Sequence, residues 1–362
     1  MKKGRFLLYI FYVSGLLGLA VFIISKNEYL MFKATERMYD EGDLYRFAKV
    51  RHFKVPTPVD EYSDEDITSP DLDSVSVFMI GDSFLGSSRG HKSLPTQLSE
   101  ALGGYVHTVQ AGDSTQYFNP MYLFKKGHVR NSGPRVLILE RVERYIVDEF
   151  MDPFDEDPQL DSTITPPEGR SGWDVVERRW FTDAEKNYQI LLTNSRVTAP
   201  LIELWNTACF SVLGRISEQT PVYSMTPPFL FYEEEVVRGK NTSFYYPHTD
   251  SLLARIADNI VLMSETMKSR YNTDLLFMAI PNSYTLYHKF INNDAYDGFV
   301  PRLEDELEKR GVKTVKLYQK FLDSNDVLYF PTDSHWNAKG VAIALNQIVE
   351  RLHTLGRNRD NQ

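Results

Sequence analysis

The chain has 362 residues, enough for one large domain or two ordinary ones, and with 42% hydrophobic and 13% aromatic residues it can build a packed core. A formal net charge of −9 excludes a general nucleic-acid binder, which needs basic stripes. The single cysteine, Cys209, excludes an intramolecular disulfide and a zinc cluster built from cysteines; it sits in Ala208-Cys209-Phe210 and reads as a buried, inert thiol.

Lys2, Lys3 and Arg5 precede an uncharged run from Phe6 to Ile24. That length predicts one helix across a bilayer core of about 30 Å. The apolar run continues past Gly18-Leu19-Ala20, the one plausible cleavage site, which favours an uncleaved anchor over a signal peptide. Basic residues on the near side predict a cytoplasmic N-terminus. Residues 1–28 are thus read as cytoplasmic tip and transmembrane anchor, with everything after Lys26 on the far side, in a bacterium the periplasm or cell surface.

Residues 29–73 read as a juxtamembrane segment and linker. Tyr29 to Lys54 mixes aromatic, apolar and charged residues, and Pro56 to Asp73 is acidic, proline-bearing and poor in apolar residues. From residue 74 to 362 the pattern is that of one α/β domain. Strands are predicted over Ser74 to Ile80, Tyr105 to Gln110, Arg135 to Leu139, Asp274 to Ile280 and Val312 to Leu317. Helices are predicted over Leu94 to Leu102, Leu252 to Tyr271, Phe299 to Lys309 and Gly340 to Leu355. Alternating strands and helices predict a parallel sheet with helices on both faces. The long interval between the third and fourth strands predicts a largely helical insertion, about 151–246, on the C-terminal side of the sheet. Within it Trp173 to Gly214 reads as helical and Thr220 to Tyr246 as a proline-bearing loop.

Two short segments carry chemistry. Gly81-Asp82-Ser83-Phe84 follows the first strand, so Ser83 stands where open α/β sheets bind ligands. By itself it also fits a turn in which Asp and Ser cap a helix. Asp333-Ser334-His335-Trp336-Asn337 offers an imidazole with a carboxylate two residues before it, within reach of Nδ1 if the loop turns back. By itself that segment also fits a helix N-cap with a surface histidine. Together they supply nucleophile, base and orienting acid. Val109-Gln110-Ala111-Gly112 places a glycine after the second strand, and the Gly112 N–H is a candidate oxyanion donor, with a plain turn as the alternative. Glu140-Arg141-Val142-Glu143-Arg144 ends the third strand. Arg144 is either a further oxyanion donor or the partner of Glu140 in an i,i+4 ion pair. No phosphate loop, dinucleotide fingerprint or metal-ligand cluster is legible, so no cofactor or metal is expected.

The pair of segments resembles the SGNH hydrolase superfamily, whose first block carries Gly-Asp-Ser and whose last carries Asp and His in one loop. The flanking Glu140-Arg141-Val142-Glu143-Arg144, Leu230-Phe231-Tyr232, Ile280-Pro281-Asn282 with Tyr287, and Asp333 to Gly340 resemble the alginate or polysaccharide O-acetyltransferase branch. The resemblance implies a flavodoxin-like three-layer sandwich, with Ser83 as nucleophile, His335 as base and Asp333 as its partner. It implies a membrane-anchored O-acetyltransferase acting on an exported polysaccharide, with a membrane-bound acyltransferase supplying the acetyl group. An acetyl esterase with the same triad and a non-catalytic glycan-binding scaffold are the rival expectations. Two features depart from the branch. The serine segment precedes the Asp-His segment, as in ordinary SGNH esterases. The Gly-x-Asn-Asp block is replaced by Glu140 to Arg144.

Overall fold

The computed structural model describes residues 2–26, 30, 42–55, 72–86, 91–110, 118–127, 129–130, 133–159 and 191–360. The chain divides into two compact units. One comprises Met1–Pro56 with Asp161–Ser217, the other Thr57–Leu160 with Glu218–Gln362.

The larger unit is mixed α/β, built on a parallel five-stranded sheet. Its strands are β1 (Val77–Gly81), β2 (Val106–Gln110), β3 (Arg135–Val142), β6 (Thr273–Ile280) and β7 (Lys313–Thr314). Between β3 and β6 in sequence lies a separate antiparallel hairpin, β4 (Val222–Met225) and β5 (Pro228–Phe231). The sheet order is β2-β1-β3-β6-β7, with every neighbouring pair parallel. The chain runs from β1 to the edge at β2, then returns to the other side of β1. The order therefore reverses between β1 and β3, and the crevice beyond their C-terminal ends is where such sheets bind ligands.

Every residue of β1 and β3 is buried, which accounts for their near-continuous apolar sequences. Side-chain alternation sorts them into two cores. Phe78, Ile80, Leu137, Leu139 and Phe277 pack with the helices Asp250–Tyr271 and Phe299–Lys309. Val77, Met79, Ile138, Leu276 and Met278 pack with Leu94–Leu102 and Ala338–Asp360. Helices thus cover both faces, consistent with an SGNH-like fold. All five predicted strands and all four predicted helices are present, the helices Leu94–Leu102 and Phe299–Lys309 with the predicted ends and the other elements with ends shifted by a few residues.

Other readings are corrected. Thr220 to Tyr246 is not a loop but the β4–β5 hairpin followed by a short helix, Glu233–Val236. Its apolar strand faces were masked in the sequence by Pro221, Pro227 and Pro228, yet Phe229, Leu230 and Phe231 are buried. Of the interval 151–246, Asp161–Ser217 groups with the N-terminal segment and 218–246 with the sheet unit. Cys209 is half-buried. Residues 56–71 of the expected linker and residues 173–190 of the expected helical stretch lie outside the described residues.

In the smaller unit Lys2–Lys26 is helical, as the N-terminal run predicts. Among the described residues, however, no helix is long and apolar enough to cross a membrane, so the expected transmembrane helix is not found there. The unit also holds the helix Asp43–Ala48 and the helix Ala199–Leu213. Buried Phe53 meets Phe210 edge-on at 5.6 Å, and Glu203 accepts hydrogen bonds from Tyr45 Oη at 3.0 Å, Arg51 Nε at 2.8 Å and Lys54 Nζ at 2.8 Å.

Candidate active site

The strand β1 delivers Gly81 and Asp82 to the sheet's C-terminal edge, and a 3-10 turn, Ser83–Leu85, follows at once. Gly81 is required for space and not for backbone freedom. Its φ is not positive, but a Cβ would collide with Glu140 Oε2 and lie 2.7 Å from Leu85 Cδ1. Asp82 caps the turn, its Oδ1 accepting from Phe84 N at 3.0 Å. Its own N–H donates to buried Glu140 Oε2 at 2.8 Å. Ser83 is left exposed between buried Asp82 and Phe84.

The histidine loop is fixed by its flanks. Tyr329 and Trp336 form an antiparallel bridge, Phe330 N donates to His335 O at 3.1 Å, and Asn337 N donates to Leu328 O at 2.8 Å. Leu230 N of β5 donates to Pro331 O at 2.9 Å, so the hairpin braces the loop. A Cβ on Gly340 would lie 2.7 Å from Leu328 O, which is why the following helix can start so close beneath. Turned back in this way, Asp333 Oδ1 accepts from His335 N at 3.0 Å and lies 2.6 Å from His335 Nδ1. His335 Nε2 lies 2.8 Å from Ser83 Oγ. A carboxylate on Nδ1 keeps the proton there, which leaves Nε2 to accept from the serine hydroxyl. Phe84 fills the space beneath, with ring centroids 4.9 Å from His335 and 5.4 Å from Trp336.

Residues 227–361 match the family model of an SGNH hydrolase-like domain, acetyltransferase AlgX. No curated protein and no solved structure matches the chain. The AlgX match includes Asp333 and His335 but stops short of Ser83. The serine comes from the opposite end of the sheet unit's sequence, and the parallel order of β1 and β3 is what brings it within reach of the AlgX-like segment.

The structure brings together Ser83, His335 and Asp333 among the residues singled out from sequence. Gly112 lies outside the described residues. Arg144 is buried, and its partner is Glu235 at 3.1 Å, not Glu140. Its guanidinium lies 5.7 Å from the Phe84 ring centroid. Glu235 also accepts from Ser283 Oγ and from Tyr284 N, both at 3.0 Å. That carboxylate pushes the Arg144 pKa upward against the opposing effect of burial.

Several residues were missed. Glu235 sits in the acidic run Glu233-Glu234-Glu235, yet it is wholly buried. Arg141 lies with Nη1 3.4 Å from Asp82 Oδ2 and Nη2 3.5 Å from Glu149 Oε2, its guanidinium 3.8 Å above the Phe118 ring. Burial pushes Glu149 up to about 7, with Arg141 pulling the other way. Burial, and then the Asp82 carboxylate beside it, hold Glu140 well above the usual carboxylate range. His91, also buried, is lowered by desolvation despite hydrogen bonds to the backbone of Lys92 and of Trp336. The one sequence signal for this network was the density of charge at the end of an otherwise apolar strand, Glu140 to Arg144.

Proposed function

We propose that this protein is a membrane-anchored, outward-facing SGNH-type O-acetyltransferase that modifies an exported or cell-surface polysaccharide through an acetyl-serine intermediate. The observation that carries the reading is the unbroken contact from Asp333 through His335 to Ser83 Oγ. The AlgX match over 227–361 supports acetyl transfer as the chemistry.

His335 Nε2 takes the Ser83 proton as Oγ attacks the acetyl carbonyl, and Asp333 stabilises the imidazolium that forms. The carbonyl oxygen takes up negative charge and needs donors. The Ser83 N–H, which has no hydrogen-bond partner among the described residues, is one candidate, and Gly112 N–H is the second. Arg144, held by Glu235, acts on the charge from a distance rather than as a direct donor. The donor's leaving group departs with the proton from His335. A sugar hydroxyl then gives its proton to His335, its oxygen takes the acetyl group, and Ser83 is regenerated.

The anchor rests on the sequence alone, on the uncharged run from Phe6 to Ile24 behind Lys2, Lys3 and Arg5. An outward-facing site needs an acetyl donor other than cytosolic acetyl-CoA, which favours a membrane-bound acyltransferase as partner. Because Ser83 is exposed, water can also reach the acyl-enzyme, and this favours acetyl-ester hydrolysis as the second reading.

Intact mass after incubation with an activated acetyl ester tests the proposal. The wild type is expected to gain one acetyl group and Ser83→Ala none. Adding oligosaccharide should move the acetyl group to the sugar. Brisk hydrolysis with no sugar adduct for any acceptor leaves the esterase, and equal behaviour of wild type and Ser83→Ala removes both readings.

A further inference from the structure

The helix Ala199–Leu213 is turned inside out relative to an ordinary surface helix. Three of its polar residues, Glu203, Asn206 and Thr207, face inward. Glu203 is held by Arg51 and Lys54, Asn206 Nδ2 donates to Ala48 O at 3.0 Å, and Thr207 Oγ1 accepts from Arg51 N at 3.0 Å. Although Phe210 meets buried Phe53, one apolar stripe faces outward. Leu201, Leu204, Trp205 and Val212 recur at helical spacing, and they are 65%, 56%, 70% and 80% exposed. A helix of a water-soluble domain keeps its apolar stripe against the core. An exposed stripe of this kind marks an interaction surface.

We propose that this stripe lies on the surface of a bilayer containing anionic phospholipid. Three observations select that occupant. The tryptophan at the centre of the stripe has the side chain favoured at the level of lipid headgroups. The one carboxylate of the helix, Glu203, points away from the stripe and is neutralised by two cations. Finally, Arg196 and Arg215 flank the helix at its two ends and Glu203 is the one acid of residues 191–217, in a chain whose net charge is −9. A surplus of positive charge beside an apolar stripe is the pattern of an amphipathic helix lying in an anionic interface. The same surplus opposes a second copy of the chain on this face, since like charges would be brought together.

This contact is independent of the acetyltransferase reading and of whether the N-terminal helix spans the bilayer. Its test uses the full chain in vesicles of zwitterionic and anionic phospholipid with bromine on the acyl chains near the carbonyl. Bromine quenches only tryptophans within the lipid. The chain has four tryptophans, and Trp205→Phe removes this one while keeping an aromatic side chain. Wild-type emission should be quenched, Trp205→Phe should lose most of that quenching, and replacing the anionic lipid by zwitterionic lipid should weaken it. Equal quenching in wild type and Trp205→Phe overturns the proposal. So does an unquenched Trp205 accompanied by a doubled mass in detergent that Leu204→Glu returns to the monomer, which would assign the stripe to self-association. The acetyl-ester assay is run in parallel, so that failure of the lipid contact is read separately from failure of the acyl chemistry.

Discussion

Replacing Glu140 separates two things that this carboxyl does under the serine turn. It is wholly buried, accepts the Asp82 N–H at 2.8 Å, and occupies the space that a side chain on Gly81 would need. Glu140→Leu leaves the Asp82 N–H buried without an acceptor, a cost of about 1–3 kcal/mol. For a domain of this size that is about 2–4 °C in Tm per kcal/mol. The turn carrying Ser83 is then free to shift, and a displacement of about 1 Å at a reacting group costs on the order of 100-fold in rate. Glu140→Gln keeps an acceptor oxygen in place, so its activity should stay within a few-fold of wild type. The two variants also differ from wild type in pH dependence. Because the folded-state pKa of Glu140 is raised, the native state holds a proton that the unfolded state releases. Its contribution is therefore complete at acid pH and is lost as pH rises from the ordinary carboxylate range toward the raised value. Glu140→Gln removes that loss, and its advantage over wild type should grow with pH. Thermal unfolding of the full chain in mild detergent at acid and neutral pH, together with kcat on a small acetyl ester, reads both effects. Equal activity of the Leu and Gln variants, or a Gln variant whose Tm falls with pH as steeply as wild type, would refute the reasoning.

Three further outcomes are expected. His335→Ala should lose acetyl-ester turnover by on the order of 10³-fold or more, and Asp333→Asn should lose less, because an amide still contacts Nδ1 but can hold the wrong tautomer; kcat measured side by side decides the order. Phe84→Ala empties the space under His335 and Trp336 and should cost about 3–5 kcal/mol in a urea or thermal melt, with kcat falling more than KM changes. Glu304, buried in Phe299–Lys309, is pushed up to about 8 chiefly by desolvation. Wild-type stability should therefore fall between about pH 4.5 and 8 on its account, and Glu304→Gln should flatten the Tm–pH curve over that window.

The local half of this protein was written in its sequence. Continuous apolar runs gave β1 and β3, because strands covered on both faces have no solvated side to alternate with. Apolar spacing and terminal glycines gave the helices Leu94–Leu102 and Phe299–Lys309 to the residue. The short reach from Asp333 to His335 was also legible, since two residues in one loop need only a local turn. What the tertiary structure decided were the meetings between distant residues. Ser83 and His335 are 252 positions apart, and only the parallel order around β1 and β3 puts them 2.8 Å from each other. Nothing in the run Glu233-Glu234-Glu235 singles out Glu235, which Arg144, Ser283 and Tyr284 enclose. The need for glycine at 81 lies in Glu140, a residue on another strand. For Ala199–Leu213, periodicity marks an apolar stripe but cannot say what covers it, because burial depends on where the rest of the chain goes and a helix carries no record of its neighbours.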